Sequence, residues 1–312
     1  PWLGRWMSAD PAGTVDGTNL FAYVRGSPVV MSDPSGMQAG CCSTPDRAAI
    51  FLEQALSIKG LKLRRRPLDL VRKADVTIDR SSINRDDPAA AKTEDGKVTV
   101  SGALADTVYD NARKVESGEA SLGKIEQFAK SMGVLFHEAT HLDLTPSERP
   151  GWYEKEVSKF EQATNKYGVS PGSRDQAERL VDEAVGQYVE GAVENYFDTL
   201  GQLRRLEKKG TLDSESLNKL REAYNKEAKE NRSETHGYWE VPSQSRPTDT
   251  KMFNESTRLS PDAIRYADEF TGLSGDFDKD FRPQLKELKQ PEPPEPPPAP
   301  KPPSSARPRE RR

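Results

Sequence analysis

Cysteine, histidine and long apolar runs are all scarce in this chain of 312 residues. The two cysteines, Cys41 and Cys42, are adjacent. They cannot link distant segments, which excludes a disulfide framework and agrees with a reducing compartment. No run reaches the ~18 apolar residues of a membrane span, and the first residues do not have the pattern expected of a signal peptide. With 34% hydrophobic residues and a mean hydropathy of −0.82, the composition predicts one sizeable core and much exposed chain.

An excess of positive charge is absent as well. The net charge is −4, and residues 38–312 hold 44 Lys and Arg against 47 Asp and Glu. Because a nuclease needs a basic surface to meet phosphates, this balance argues against nucleic acid as a partner. The basic segment at residues 62–66 is short and ends at Pro67. It favours a loop, or a contact with an acidic partner, over a nucleic-acid groove.

One short motif uses two of the three histidines. His137, Glu138 and His141 form the pattern H-E-x-x-H. On an α-helix, residues i and i+4 lie on the same face with their Cβ atoms about 5–6 Å apart. Two imidazoles so placed can bind one zinc ion, and the glutamate can act on water beside the metal. The alternative is a surface helix that carries these residues without any chemical role.

The surrounding sequence predicts the helix that this chemistry needs. No proline occurs from Ser121 to Leu144; Ser121 is a candidate N-cap, and Thr145-Pro146 is a candidate stop. Apolar residues recur there at intervals of three and four: Ile125, Phe128, Ala129, Met132, Leu135, Phe136 and Ala139. His137 lies at the edge of this stripe, which predicts that its ring faces the interior.

A zinc site of this kind needs a third protein ligand. A long helix is predicted after residues 171–173, with an apolar stripe formed by Ala177, Leu180, Val181, Ala184, Val185, Tyr188, Val189, Ala192, Val193 and Tyr196. Glu183 borders this stripe, whereas Asp182 is expected to point further toward solvent. Glu183 is therefore the leading candidate for the third ligand. The alternative is that it is only a solvated charge on the flank of the helix. The alternative ligands are Glu178, Asp182, Glu190 and His236.

This motif and the neighbourhood of Glu183 resemble the zincin metallopeptidases, and more loosely their gluzincin branch. The resemblance implies that His137, His141 and Glu183 hold one zinc ion. Glu138 would then be the general base of peptide hydrolysis. In gluzincins an aspartate often follows the ligand glutamate by four residues and orients a ligand histidine. Here that position is Gln187, whose side-chain carbonyl is expected to accept the same imidazole N–H bond.

The expected chemistry follows from these roles. Zinc lowers the pKa of its bound water toward neutrality and polarises the scissile carbonyl. Glu138 is expected to take the proton of the water and to hand it to the leaving amine. A further donor should stabilise the oxyanion, and the candidates are Tyr188, His236 and Tyr238. The aromatic segment at residues 235–239 predicts either a wall of the cleft or a buried aromatic patch.

The first 37 residues follow a different pattern. Aromatic and β-branched runs are broken by Asp-Pro pairs, Gly and Asn, which predicts short strands joined by tight turns. The ordered succession G-R-W, D-P, N-x-x-x-Y, P and D-P-x-G strongly resembles the end of the core of rearrangement hotspot (RHS) repeat proteins, which belong to the polymorphic toxins. The resemblance implies a β-shell that encloses a variable C-terminal toxin and cuts itself after this segment.

Carried over to this chain, the resemblance makes Asp10 and Asp33 the autoproteolytic carboxylates and places the cut after Met37. Two carboxylates that share a site can divide the acid and base roles, because like charges push their pKa values apart. Met37 stands where leucine is usual, and Ala9 stands where a larger polar residue is common. The alternative is that both Asp-Pro pairs only begin turns. Since the sequence starts within a predicted strand, we expect a fragment that does not cut itself without its shell.

Between the predicted cut and the zinc helix, the sequence predicts a helix at about residues 46–58. Strands are predicted at Asp75–Asp79 and Lys97–Ser101, with a tight turn at Asp95-Gly96 before the second strand. Zincins commonly use a small sheet beside the active helix to hold extended substrate by edge pairing. The same use is expected here.

The C-terminal part is charged. Helices are predicted at Leu203–Lys209 and Leu217–Lys229, as a hairpin around Gly210 with little core of its own, and a short helix is predicted at residues 260–270. Ten of the last 22 residues are proline, which predicts an extended, disordered tail.

The sequence thus predicts an α+β fold, with a mostly helical zincin-like domain and a small β-sheet at residues 45–285. Residues 1–37 are assigned to the end of the RHS core, 38–44 to a linker and 286–312 to the proline-rich tail. The predicted function is a zinc-dependent metallopeptidase toxin, delivered by a bacterial secretion system, that hydrolyses a protein in the target-cell cytoplasm. The alternatives are a zinc amidase acting on cell-wall peptides and a non-catalytic effector with structural zinc. The resemblance also implies an immunity protein that blocks the cleft.

Overall fold

The structure is a computed structural model that describes residues 31–32, 40–41, 51–55, 57–79, 91–147, 149–169, 173–233 and 249–288. These residues confirm the α+β class, because helices dominate and the main sheet is small. No helix in these ranges is long and apolar enough to cross a membrane.

Strands and helices follow one another along the described part of the chain. The strands are β1 (Met31–Ser32), β2 (Gly40–Cys41), β3 (Asp75–Asp79), β4 (Ala91–Glu94) and β5 (Lys97–Ser101). The helices are α1 (residues 51–55), α2 (Arg66–Lys73), α3 (Gly102–Glu116), α4 (Leu122–Asp143), α5 (Tyr153–Lys166), α6 (Arg174–Lys208), α7 (Ser214–Ser233), α8 (Thr250–Ser256), α9 (Pro261–Thr271), α10 (Phe277–Asp280) and α11 (Arg282–Leu288). With 35 residues, α6 alone spans about 52 Å.

The larger sheet has three strands in the order β3-β5-β4. β3 lies parallel to β5 with Val76 opposite Val98, and β4 lies antiparallel to β5 with Thr93 opposite Val98. The predicted tight turn joins β4 to β5. Asp95 and Gly96 both have positive φ, at 52° and 74°, as a two-residue type I′ hairpin requires. This order leaves β4 at an edge of the sheet, where it contacts α4.

The two predicted strands are confirmed as β3 and β5, whereas β4 was not predicted. The sequence of β4 holds no large apolar residue, so neither strand propensity nor alternation of apolar residues marks it. A smaller antiparallel sheet pairs Met31 of β1 with Cys41 of β2. β1 agrees with the short strands predicted before Met37. β2, however, lies in the segment that was predicted to be a linker. It forms a strand because its backbone pairs with that of β1.

α4 and α6 pack along each other more extensively than any other two described elements. All seven apolar residues of the predicted α4 stripe are completely buried. Phe128 of α4 meets Phe197 of α6 edge to face, with ring centroids 5.3 Å apart. α2 and α3 cover α4, and α5, α7 and α9 pack against α6. Both helices begin as predicted, α4 after Ser121 and α6 after Ser173, whose side chain accepts from the N–H of Gln176.

Two helix boundaries differ from the predicted ones. α6 continues unbroken to Lys208, so the helix predicted at residues 203–209 is its C-terminal end. Leu203 is 1% exposed there, since the buried face of α6 extends past the point where the sequence turns charged. The break at Gly210 (φ 65°), α7 and α9 agree with the predictions. The helix predicted at residues 46–58 is described only at 51–55, and residues 57–60 already form turns.

Candidate metal centre

The three predicted zinc ligands come together where α4 lies against α6. Nε2 of His137 lies 3.1 Å from Nε2 of His141. One carboxylate oxygen of Glu183 lies 3.2 Å from Nε2 of His137, and the other lies 3.5 Å from Nε2 of His141. Within the described ranges, these three side chains form the group of His, Cys, Asp and Glu residues that can converge on one metal ion. All three are partly buried.

The geometry of this triangle fits zinc. Zinc bonds nitrogen and oxygen ligands at about 2.0–2.1 Å in a tetrahedron, which places neighbouring ligand atoms about 3.3–3.4 Å apart. The three observed separations, 3.1, 3.2 and 3.5 Å, bracket that range. Two histidines and one glutamate are also a donor set of catalytic zinc sites, in which the fourth position stays open to water or substrate.

Glu138 provides a carboxylate oxygen without a partner beside these ligands. The residue is 6% exposed, and its Oε2 atom is buried and makes no hydrogen bond. Burial raises the pKa of this carboxyl group. Thr93 of β4 donates to the main-chain carbonyl of Glu138 at 3.3 Å, which ties the edge strand to this point of α4. A buried polar atom without a partner lowers stability, and such a cost is typical of a functional group.

The pKa values of the two imidazoles shift in opposite directions. Burial acts to lower the pKa of His137, but hydrogen bonds to Glu183 and Glu190 outweigh it and raise the pKa to about 10. For His141, burial and then the positive charge of His137 lower the pKa to about 4. The carboxylates beside His137 thus favour its charged form, whereas burial and the charge of His137 favour the neutral form of His141.

Glu190 orients His137. Its Oε2 atom lies 2.8 Å from Nδ1 of His137, so that Nε2 of the same ring faces His141 and Glu183. For His137, Glu190 makes this contact and not Gln187, to which the sequence pointed. Glu190 follows Glu183 by seven residues, or about two helical turns, and therefore lies on the same face of α6.

The other carboxylates considered as third ligands are engaged elsewhere. Asp182 was expected to point further toward solvent, and this prediction is wrong. Its carboxylate accepts from the hydroxyl of Tyr153 at 2.6 Å, and burial raises its pKa to about 6. Glu178 forms ion pairs with Arg149 at 2.9 Å and with Arg174 at 3.1 Å. Glu183 is thus the carboxylate that meets both histidines.

The predicted oxyanion donors fare differently. Tyr188 is buried, and its hydroxyl donates to Asp268 at 2.9 Å, on a side of α6 that does not line the cleft around the histidines. This prediction is therefore wrong, because the phase of α6 turns Tyr188 toward α9. The other two predicted donors, His236 and Tyr238, lie outside the described residues. So do three further predicted features: the autoproteolytic carboxylates Asp10 and Asp33, the cut after Met37, and the proline-rich tail.

An open cleft of about 930 Å³ leads to the three ligands and Glu138. One wall is the edge of β4, including Ala91 and Thr93, with the turn that follows it. The first turns of α6 line the cleft as well, including Gln176 and Arg179. Glu138 and the three candidate ligands therefore share one open cleft with β4.

Gly186 is a further residue of this site that the sequence did not single out. A Cβ atom at this position would lie 2.8 Å from both Cδ2 and Nε2 of His137. A glycine within a helix costs about 1 kcal/mol relative to alanine. A glycine inside the predicted helix, three residues after Glu183, was therefore the feature of the sequence that could have pointed to Gly186 as a residue of the site.

If His137 binds zinc as predicted, we expect Glu190→Ala to weaken zinc binding by about 10–100-fold, because His137 then loses the group that fixes its ring and tautomer. Affinity is measured by competition with a chromophoric chelator. The matched control is Glu194→Ala, one turn further along α6. Equal affinity of the two variants for zinc would contradict the orienting role of Glu190.

Comparison with known proteins finds two short matches near the N-terminus. Over 40 residues the chain is 62% identical to Toxin subunit YenC1 from Yersinia entomophaga, and this match covers 13% of this chain and 4% of that protein. Over 37 residues it is 65% identical to Toxin subunit YenC2 from the same organism, which covers 12% of this chain and 4% of that protein. No protein-family model and no solved structure matches the chain. The similarity to toxin subunits is thus confined to a short segment near the N-terminus and does not include the helices of the candidate metal centre.

Proposed function

We propose that this chain carries a zinc-dependent peptidase domain that acts as the toxic part of a larger toxin protein. The observation that carries the proposal is one constellation. Two Nε2 atoms and a carboxylate lie 3.1–3.5 Å apart, and the buried Oε2 atom of Glu138 lies beside them without a partner. When bound, zinc would act as a Lewis acid that polarises a carbonyl and lowers the pKa of water.

Each residue of the constellation has a separate task. His137, His141 and Glu183 would hold the metal, and Glu190 keeps Nε2 of His137 turned toward it. Glu138 is not a ligand. Its carboxylate takes a proton from water and returns it to the leaving amine, as a general base and then a general acid. Since burial raises its pKa, the carboxyl group is better suited to hold the proton between these two steps.

The cleft supports an extended peptide as substrate. β4 is an edge strand that lines the cleft, and the main chain of an edge strand can pair with an extended segment. Thr93 of this strand also contacts the main chain of Glu138. A peptide bound along β4 would therefore lie close to the general base.

The toxin part of the proposal is supported by the matches to two toxin subunits, although the chain spans only 4% of the length of either relative. The order of the motifs in residues 1–37 supports attachment to an RHS shell. On this proposal, Asp10 and Asp33 serve the release cut after Met37. The freed domain acts on a protein of the target cell, and an immunity protein protects the producer.

A structural role for the metal is the less favoured alternative. Structural zinc sites are closed by four protein ligands, whereas the described residues supply three, at the base of an open cleft. An amidase that acts on cell-wall peptides would use the same constellation and differs only in substrate.

The test exposes a peptide library from a bacterial lysate, and separately purified muropeptides, to the full 312-residue protein. New N-termini are identified by mass spectrometry before and after a chelator removes zinc, and again after zinc is restored. We expect zinc-dependent cleavage of the peptide library. Cleavage of muropeptides alone would favour the amidase. One zinc per chain without cleavage of either substrate would favour the structural role.

A further inference from the structure

The imidazole of His137 lies directly against the backbone of α6 at Gly186. A Cβ atom there would lie 2.8 Å from Cδ2, 2.8 Å from Nε2 and 3.0 Å from Cε1 of the ring. Real Cβ atoms essentially never approach heavy atoms that closely. Any side chain at position 186 would therefore force the ring, or the helix, to move by several tenths of an ångström.

Gly133 makes the matching space on α4. It lies four residues before His137, one turn earlier on the same face. A Cβ atom at Gly133 would lie 3.0 Å from the carbonyl oxygen of Glu190 and 3.1 Å from its Cγ atom. The absence of a side chain at this position lets Glu190 lie against α4, where its carboxylate reaches Nδ1 of His137 at 2.8 Å.

The two glycines thus act on the two sides of one imidazole. Gly186 sets how close the ring sits to α6, and Gly133 sets how close the partner of Nδ1 sits to α4. Ring position and ring orientation are then both defined. Nε2 points toward Glu183 at 3.2 Å and His141 at 3.1 Å, which is the spacing that the zinc tetrahedron needs.

We propose that Gly133 and Gly186 are positioning residues that seat His137 between Glu183 and Glu190, so that a single ring nitrogen is directed at the metal. The predicted effect of the two glycines on zinc binding rests on the proposed function. The seating of the ring, however, is a property of the protein alone, and it can be measured without metal.

Gly201 offers a matched control for this proposal. It lies on the same helix 15 residues after Gly186, about 22 Å along the axis. A Cβ atom there would lie 2.6 Å from Cγ2 of Ile125 on α4. Gly201→Ala therefore disturbs the same pair of helices as strongly as Gly186→Ala does, but far from His137. Any effect that the two variants share reports on helix packing, and any effect of Gly186→Ala alone reports on the ring.

The experiment uses the full chain and two readouts. The first is the imidazole proton and nitrogen NMR spectrum of the zinc-free protein, in which the Nδ1–H signal of His137 is assigned with His137→Gln. The second is affinity for zinc by chelator competition, together with the visible spectrum of the cobalt-substituted protein. We expect Gly186→Ala to shift or abolish the Nδ1–H signal, to weaken zinc binding about 10–100-fold and to change the cobalt spectrum. Gly201→Ala should leave all three unchanged and should lower only the melting temperature.

Several results would overturn the proposal. An unchanged Nδ1–H signal in Gly186→Ala would do so, as would equal losses of zinc affinity in Gly186→Ala and Gly201→Ala. If Gly186→Ala fails to fold, Gly133→Ala provides the same test, because its contacts of 3.0–3.1 Å are milder. If the parent binds no zinc, the proposed function fails, while the NMR comparison still decides whether the glycines seat the ring.

Discussion

The variant Glu138→Gln is expected to keep one zinc per chain and to lower kcat/KM for peptide cleavage by about 10²–10⁴-fold. Glutamine has the size of glutamate but cannot accept a proton at neutral pH. Glu138 is also not one of the three residues whose ligand atoms converge, which are His137, His141 and Glu183. The change therefore removes proton transfer and leaves metal binding intact. The measurement pairs zinc analysis by atomic emission with cleavage rates on the peptide identified in the library.

We expect the loss of activity without any loss of stability. Glutamine carries no charge to be desolvated, whereas the buried Oε2 atom of Glu138 lacks a partner, so the variant should melt at the same temperature as the parent or higher. A suitable control is Glu126→Gln on the exposed face of α4, which breaks only an ion pair with Lys130 and should keep full activity. Full activity in Glu138→Gln would show that some other group moves the proton.

The second large effect is expected from the ligands themselves. Glu183→Ala and His141→Ala should each weaken zinc binding by more than about 100-fold, since loss of a ligand exceeds the cost of losing a group that only orients one. The protein would then retain little zinc after gel filtration, against one zinc per chain in the parent. Both residues lie on helices whose buried faces are formed by other side chains, so helical content by circular dichroism should be preserved.

Asp182→Asn is the control for the third ligand. Asp182 neighbours Glu183 in sequence, yet its carboxylate bonds the hydroxyl of Tyr153, so zinc should be retained. Zinc retained in Glu183→Ala but lost in His236→Ala would reassign the third ligand to His236. Zinc absent from the parent, even after metal is supplied, would reject the metalloenzyme.

The spacing of apolar residues along the sequence was enough to predict where the main helices and strands lie. The stripe from Ile125 to Ala139 recurs every three to four residues, and all its members are buried in α4. The same periodicity placed α6, and alternation placed β3 and β5. It also placed His137 and His141 on one helical face, because the separation of residues i and i+4 is a property of the helix and not of the fold. These features depend on interactions between near neighbours in the chain.

The tertiary structure decided what depends on two helices meeting. His137 and Glu183 are 46 residues apart, and only the approach of α4 to α6 selects Glu183 over Asp182 as the carboxylate at Nε2. The same approach makes Glu190 the partner of Nδ1 and requires glycine at position 186. β4 exists because β5 offers it an edge, not because of its own residues. The spacing of apolar residues determines which face of each helix is buried. The distance between packed helices determines which side chains touch, and no local pattern encodes that distance.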